Sequence, residues 1–145
     1  MNSYTSSFQS TAAVGAGGDG SFVVAWDSMG SGEGDNSETS VHAQRFSAAG
    51  VAQGSEFQVN AYSTNYQWLP AVAVDAEGDF VVVWQSLGAS SGDTAGYSLH
   101  GRHYSAAGAS LGGPFQINSY TTGDQTASAI AVDAQGDFVV VWKSI

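Results

Sequence analysis

The chain has 145 residues and a formal net charge of −10, with 13 acidic side chains against three basic ones (Arg45, Arg102 and Lys143) and no cysteine. So few cations cannot neutralise a phosphate backbone or hold an anionic membrane surface, which argues against nucleic-acid and lipid partners. The absence of cysteine excludes both a disulfide framework and thiolate metal sites. Apolar residues make up 43%, with 19 glycines and only two prolines, a mix that suits a packed core of short strands and tight turns.

The opening "MNSYTSSFQS" has neither the basic nor the apolar run of a secretory signal, and no apolar run in the chain is long enough to span a bilayer. "SFVVAWDS" at 21–28 is the first clear strand. A polar loop, "GSGEGDNSE", separates it from "VHAQRFSAAG" at 41–50 and then "EFQVN". The same series returns as "DFVVVWQS" at 79–86, "LHGRHYSAAG" at 99–108 and "PFQIN", and "DFVVVWKS" closes the chain at 137–144. Trp26, Trp84 and Trp142 fix the spacing at 58 residues, so the chain reads as one repeat domain over 1–145. Its units are 2–59, 60–117 and a partial third at 118–145. Repeats of this length point to blades or solenoid turns.

The second unit predicts four strands, at 70–75, 79–86, 97–105 and 114–118. The "DAEGD" and "DAQGD" stretches read as hairpin turns, with Gly78 and Gly136 in left-handed positions. In the second strand Phe80, Val82 and Trp84 share one face, and Val81 and Val83 share the other, so neither face is wet. Sheets apolar on both sides stack against sheets. The expected fold is all-β, built of β-propeller-type four-stranded antiparallel blades, about two and a half per chain. Phe22, Trp26, Phe80, Trp84, Phe138 and Trp142 are the repeated core candidates. An incomplete last blade, and a first blade with Val14 and Val23 left uncovered, predict a homo-oligomer.

The run "VN-x-Y-S/T-T…Q…AVAVDA-x-GDFVVVW-x-S…RFSAAG…FQVN" resembles the propeller-type tandem repeats of large secreted bacterial proteins of the RTX and adhesin-associated kind. The resemblance covers essentially the whole chain, and "GDFVVVWQS" and "FQVN-x-Y" are its most specific pieces. It implies an extracellular or cell-surface location and a binding or structural role, and it carries over no catalytic residue.

Candidate chemistry is sparse. Asp75 with Asp79, and Asp133 with Asp137, bracket the two hairpin turns and could offer oxygen ligands to calcium, but an Asp at a turn more often caps the turn itself. Glu33, Asp35, Asn36 and Glu38 collect in the "GSGEGDNSE" loop, with Asp93 equivalent to Asp35, at a spacing that matches no EF-hand. His100 and His103 fall on opposite faces of one strand, which argues against a shared zinc ion. Trp68, with Tyr66 beside it, has no aromatic counterpart in the other units, so the pair is a candidate sugar platform. No nucleophile elbow, H-E-x-x-H helix or P-loop is present. The "D-x-x-G" turn is similar to the Asp-box of sialidase propellers, which also need an arginine cluster that two arginines cannot supply. The expectation is a non-enzymatic, self-associating binding or structural module with no obligatory cofactor. The alternative is a lectin-like propeller with sugar pockets between its blades.

Overall fold

The computed structural model describes residues 5–30, 38–88, 93 and 95–145. Ten strands and no helix are found among them. The first sheet holds β1 (Gln9–Ala16), β2 (Phe22–Met29), β3 (Thr39–Phe46) and β4 (Phe57–Gln58). The second holds β5 (Gln67–Val74), β6 (Phe80–Leu87), β7 (Tyr97–Tyr104) and β8 (Phe115–Gln116); the third pairs β9 (Gln125–Val132) with β10 (Phe138–Ser144). Each sheet is antiparallel and follows chain order. The ten strands do not form a closed propeller.

The register repeats at the 58-residue offset. Phe22 lies opposite Phe46 and Trp26 opposite His42, as Phe80 lies opposite Tyr104 and Trp84 opposite His100. The hairpin turns form as the sequence predicts. Asp75 N–H donates to the Asp79 carbonyl at 2.9 Å, and Gly78 takes φ 88°, where a side chain would be strained.

Stacking runs in one direction. Even-numbered side chains of the second sheet (Val72, Phe80, Val82, Trp84 and Tyr104) pack on odd-numbered ones of the first (Val23, Ala25, Val41 and Ala43), with Val59 in the same cluster. Gly15 permits the closest approach, because a Cβ there would sit 2.9 Å from the Val72 carbonyl oxygen. The third sheet repeats the arrangement on the odd face of the second, where Phe138 meets the rings of His103 at 5.1 Å and Phe115 at 6.1 Å.

Three expectations need correction. Val14 and Val23 do not share an uncovered face: Val14 is 66% exposed, whereas Val23 turns to the second sheet and is 4% exposed. Strand alternation is the cause, since Val23 pairs with Gly15 and Val14 with Val24 on the other side. The strand predicted to begin at residue 70 begins at Gln67, because a bulge between Trp68 and Ala71, with Leu69 at φ 50°, keeps the pairing going. Among the six repeated Phe and Trp positions, Phe80, Trp84 and Trp26 are deeply buried and Phe22 and Phe138 half-buried, but Trp142 is 40% exposed. The third sheet sets no third strand beside it.

The fourth strands are only two residues long, and an asparagine extends each of them. Val59 N–H donates to the Val41 carbonyl at 2.8 Å, and the Asn60 side-chain carbonyl then accepts from Val41 N–H at 2.7 Å. Ile117 and Asn118 do the same to Leu99, with bonds of 2.8 Å each. A side chain thus stands in for the next backbone acceptor, leaving little open edge.

Candidate functional site

Two clefts open between neighbouring sheets, at the end where the β1–β2 and β5–β6 turns lie. The first, about 240 Å³, takes Ser21, Phe22, Arg45 and Phe46 from the first sheet and Val74 and Glu77 from the second. The second, about 170 Å³, is lined by Asp79, Phe80, His103 and Tyr104 from the second sheet and Val132 and Gln135 from the third. Every one of these pairs is 58 residues apart. A third hollow, bounded by Val132, Asp133, Asp137, Phe138 and Val139, is half of the same cleft, with sheet on one side only.

The clefts differ in chemistry. In the first, the Arg45 guanidinium crosses to donate to the Ala106 carbonyl in the β7–β8 connection, tying the two sheets together. In the second, His103 replaces that arginine and its Nε2 is buried without a hydrogen-bond partner. Charge follows the exchange. Where the first sheet offers Arg45 the second brings Glu77, and where the second offers Asp75 and Asp79 the third brings Gln135.

The four candidate calcium ligands divide between clefts. Asp75 and Asp79 line the second, Asp133 and Asp137 the open third. Asp75 Oδ1 accepts from Glu77 N–H at 3.0 Å and Asp79 N–H at 2.9 Å, and Asp133 Oδ1 accepts from Gln135 and Asp137 N–H at 2.9 and 3.0 Å. Asp79 Oδ1 takes the Ala106 N–H at 2.8 Å. These are turn-capping bonds. No group of three or more His, Asp or Glu that could hold a metal ion occurs among the described residues. With the Asp75 and Asp133 Oδ1 atoms taken up by turn N–H groups, saturating calcium is expected to leave the melting temperature within a degree of its metal-free value. A rise of several degrees with calcium but not magnesium would contradict this, since a ligand of the folded state adds about 2.7 kcal/mol at a hundred times its dissociation constant.

Of the loop's candidate oxygen ligands, Glu33, Asp35 and Asn36 lie outside the described residues. Glu38 hydrogen-bonds the Tyr66 hydroxyl and thereby raises the phenol above its ordinary value. Asp93 is fully buried, and its Oδ2 accepts from Asn118 Nδ2 at 3.0 Å. Asp93 supports the Asn118 extension and is closed to ligands.

Trp68 sits on β5 at the opposite end of the sheet from the clefts. Its ring lies 6.4 Å from Tyr66 and 5.6 Å from Tyr97, tilted to both, and its indole N–H is buried without a partner. Tyr66, at 37% exposure, is the more open member of the pair proposed as a sugar platform. His100 and His103 do face apart: His100 stacks on Trp84 at 6.0 Å, whereas His103 stands edge-on to Phe138. Burial pushes the His100 imidazole below its ordinary value, against an upward pull from Asp93. Ser98 Oγ lies 3.0 Å from His100 Nε2, but Ser98 is fully buried, so this Ser–His pair cannot reach a substrate. No protein-family model matches the chain, and no curated protein matches it. The sequence placed sugar pockets between blades only as an alternative and assigned to them none of the residues that line these clefts, because each is built from residues of two different units.

Proposed function

We propose that the chain is a non-enzymatic extracellular module for binding or structural assembly, that its sheets are propeller-type blades, and that it associates with copies of itself. One observation carries the assembly reading. The odd face that each sheet buries under the next is bare on the third: Val139 and Val141 are 60% and 61% exposed, against 5% and 0% for their counterparts Val81 and Val83. Two exposed valines flanked by the exposed Ala129 and Ala131 make an apolar patch of the kind that marks interaction sites. Light scattering over a dilution series tests this. The expected result is a mass that rises with concentration; a well-folded monomer with a sharp melt at low micromolar concentration would overturn it.

The second reading is a lectin-like propeller, with a sugar held between adjoining blades. The recurrence of the inter-sheet cleft favours it, since each copy pairs aromatic rings with carboxylate, amide or imidazole groups of the kind that hold hydroxyls. A glycan array with and without calcium separates the two readings: binding supports the lectin, and silence leaves the assembly module.

A further inference from the structure

The end of the sheets away from the clefts holds a second set of facing side chains. Asp27 pairs with Ser10 and Val41, so it lies on the odd face of the first sheet, beyond Val23 and Ala25. Ser86 pairs with Gln67 and follows Trp84 on the even face of the second. Those two faces are packed together, and Gln67 N–H crosses between them to Thr39 Oγ1 at 3.2 Å. Three oxygen atoms at this level are buried without a hydrogen-bond partner: Asp27 Oδ1, Gln67 Oε1 and Ser86 Oγ. Their residues are 4%, 0% and 1% exposed.

The chemistry selects what joins them. The Gln67 Nε2 donates to the Thr64 carbonyl at 3.0 Å, which fixes the amide and leaves its carbonyl oxygen over. Asp27 Oδ2 accepts from Ser10 Oγ at 2.6 Å, so Oδ1 is the atom turned to the set. A buried carboxylate needs a counter-charge. None of the three basic side chains supplies one: Arg45 is bound to Ala106, Arg102 to Ser110, Gly112 and Val59, and Lys143 belongs to the third sheet. We infer that the interface between the first and second sheets holds a monovalent alkali cation, coordinated by Asp27 Oδ1, Gln67 Oε1 and Ser86 Oγ. One carboxylate balances one positive charge. Calcium takes about six to eight oxygens, several of them from carboxylates, and would stay unbalanced here.

The same level of the next interface is an internal contrast. Gln85 stands where Asp27 stands, and its buried unpartnered atom is Nε2, a donor that turns a cation away. Gln125, in the place of Gln67, accepts the Trp142 indole N–H with its Oε1 at 3.3 Å. The cation thus belongs to one interface and is no property of the repeat. There it clamps two sheets of one chain, whatever that chain assembles with.

Thermal melts of the whole chain in sodium, potassium or choline chloride at equal ionic strength test this. Sodium or potassium should raise the melting temperature by at least about 3 °C over choline, and the rise should saturate, because an ion that binds only the folded state stabilises it by mass action. Asp27→Asn keeps the shape, removes the charge and should abolish the difference. Ser86→Ala should raise the half-saturating concentration about threefold or more through its lost ligand, and it decides the matter if Asp27→Asn does not fold. Equal melting temperatures in the three salts would overturn the inference, as would a difference that grows without saturating. A sodium or potassium effect of full size in the deciding variant would place the ion elsewhere and overturn it too.

Discussion

Trp84→Ala is expected to destabilise the chain by about 3–5 kcal/mol, the cost of truncating a buried aromatic. Trp84 is 2% exposed, stacks on His100 and packs with Val23, Ala25 and Val41 of the neighbouring sheet. Its loss therefore opens a cavity between sheets as well as within one. Against the roughly 5–15 kcal/mol by which domains are stable, that is a large fraction. A fall in melting temperature of about 10 °C or more is expected. Trp142→Ala provides the contrast, because the same residue at the same repeat position is 40% exposed and has no histidine over it. Its cost should be under half as great. Equal melting temperatures for the two variants would show that the depth of burial does not set the energy.

Asn118→Ala is the second large effect. Asn118 is 3% exposed and satisfies three groups at once: Leu99 N–H at 2.8 Å, the Tyr120 carbonyl at 2.8 Å and the Asp93 carboxylate at 3.0 Å. Removing it strands the Leu99 N–H and the Asp93 carboxylate, both on fully buried residues, while the Tyr120 carbonyl sits on an exposed residue that water can reach; each buried polar group left unmade costs about 1–3 kcal/mol. A loss of about 3 kcal/mol or more should appear in denaturant melts. Asn118→Asp sharpens the test. It keeps an acceptor for Leu99 but sets a second carboxylate beside the fully buried Asp93. Two such groups cannot both ionise cheaply, so one is driven to hold its proton. The folded state then binds a proton that the unfolded chain gives up, and the variant should recover stability as pH falls from 7 towards 5. A variant whose deficit stays constant over that range would rule out the Asp93 contact as its cause.

The central strands were legible because nothing competed with their pattern. "FVVVW" has no polar residue on either face, and "DAEGD" has a glycine where the turn needs φ 88°. The ends of elements were harder to read. Gln67 and Trp68 belong to β5 only because a bulge absorbs the register change, and alternation alone reads such a shift as a stop. The fourth strand stops at Gln116, since Asn118 pairs through its side chain. The lining of the clefts was illegible for a different reason. Arg45 meets Ala106 across 61 residues, and no local spacing announces that contact. The Asp pairs could be placed from the sequence and turn capping preferred for them; the turn geometry adds which N–H groups each Oδ1 takes.

Stacking even face on odd face gives the row of sheets a polarity, like that of a filament with unlike ends. Copies joined by the same rule would add in one sense only, since two bare valine faces brought together reproduce no packing found within the chain. A copy with Val139→Glu and Val141→Glu would still offer its first sheet to a neighbour and refuse the next arrival. In such an assembly it acts as a chain terminator, limiting length at ratios far below one to one. Substitutions on the Val14 side would close only the opposite end.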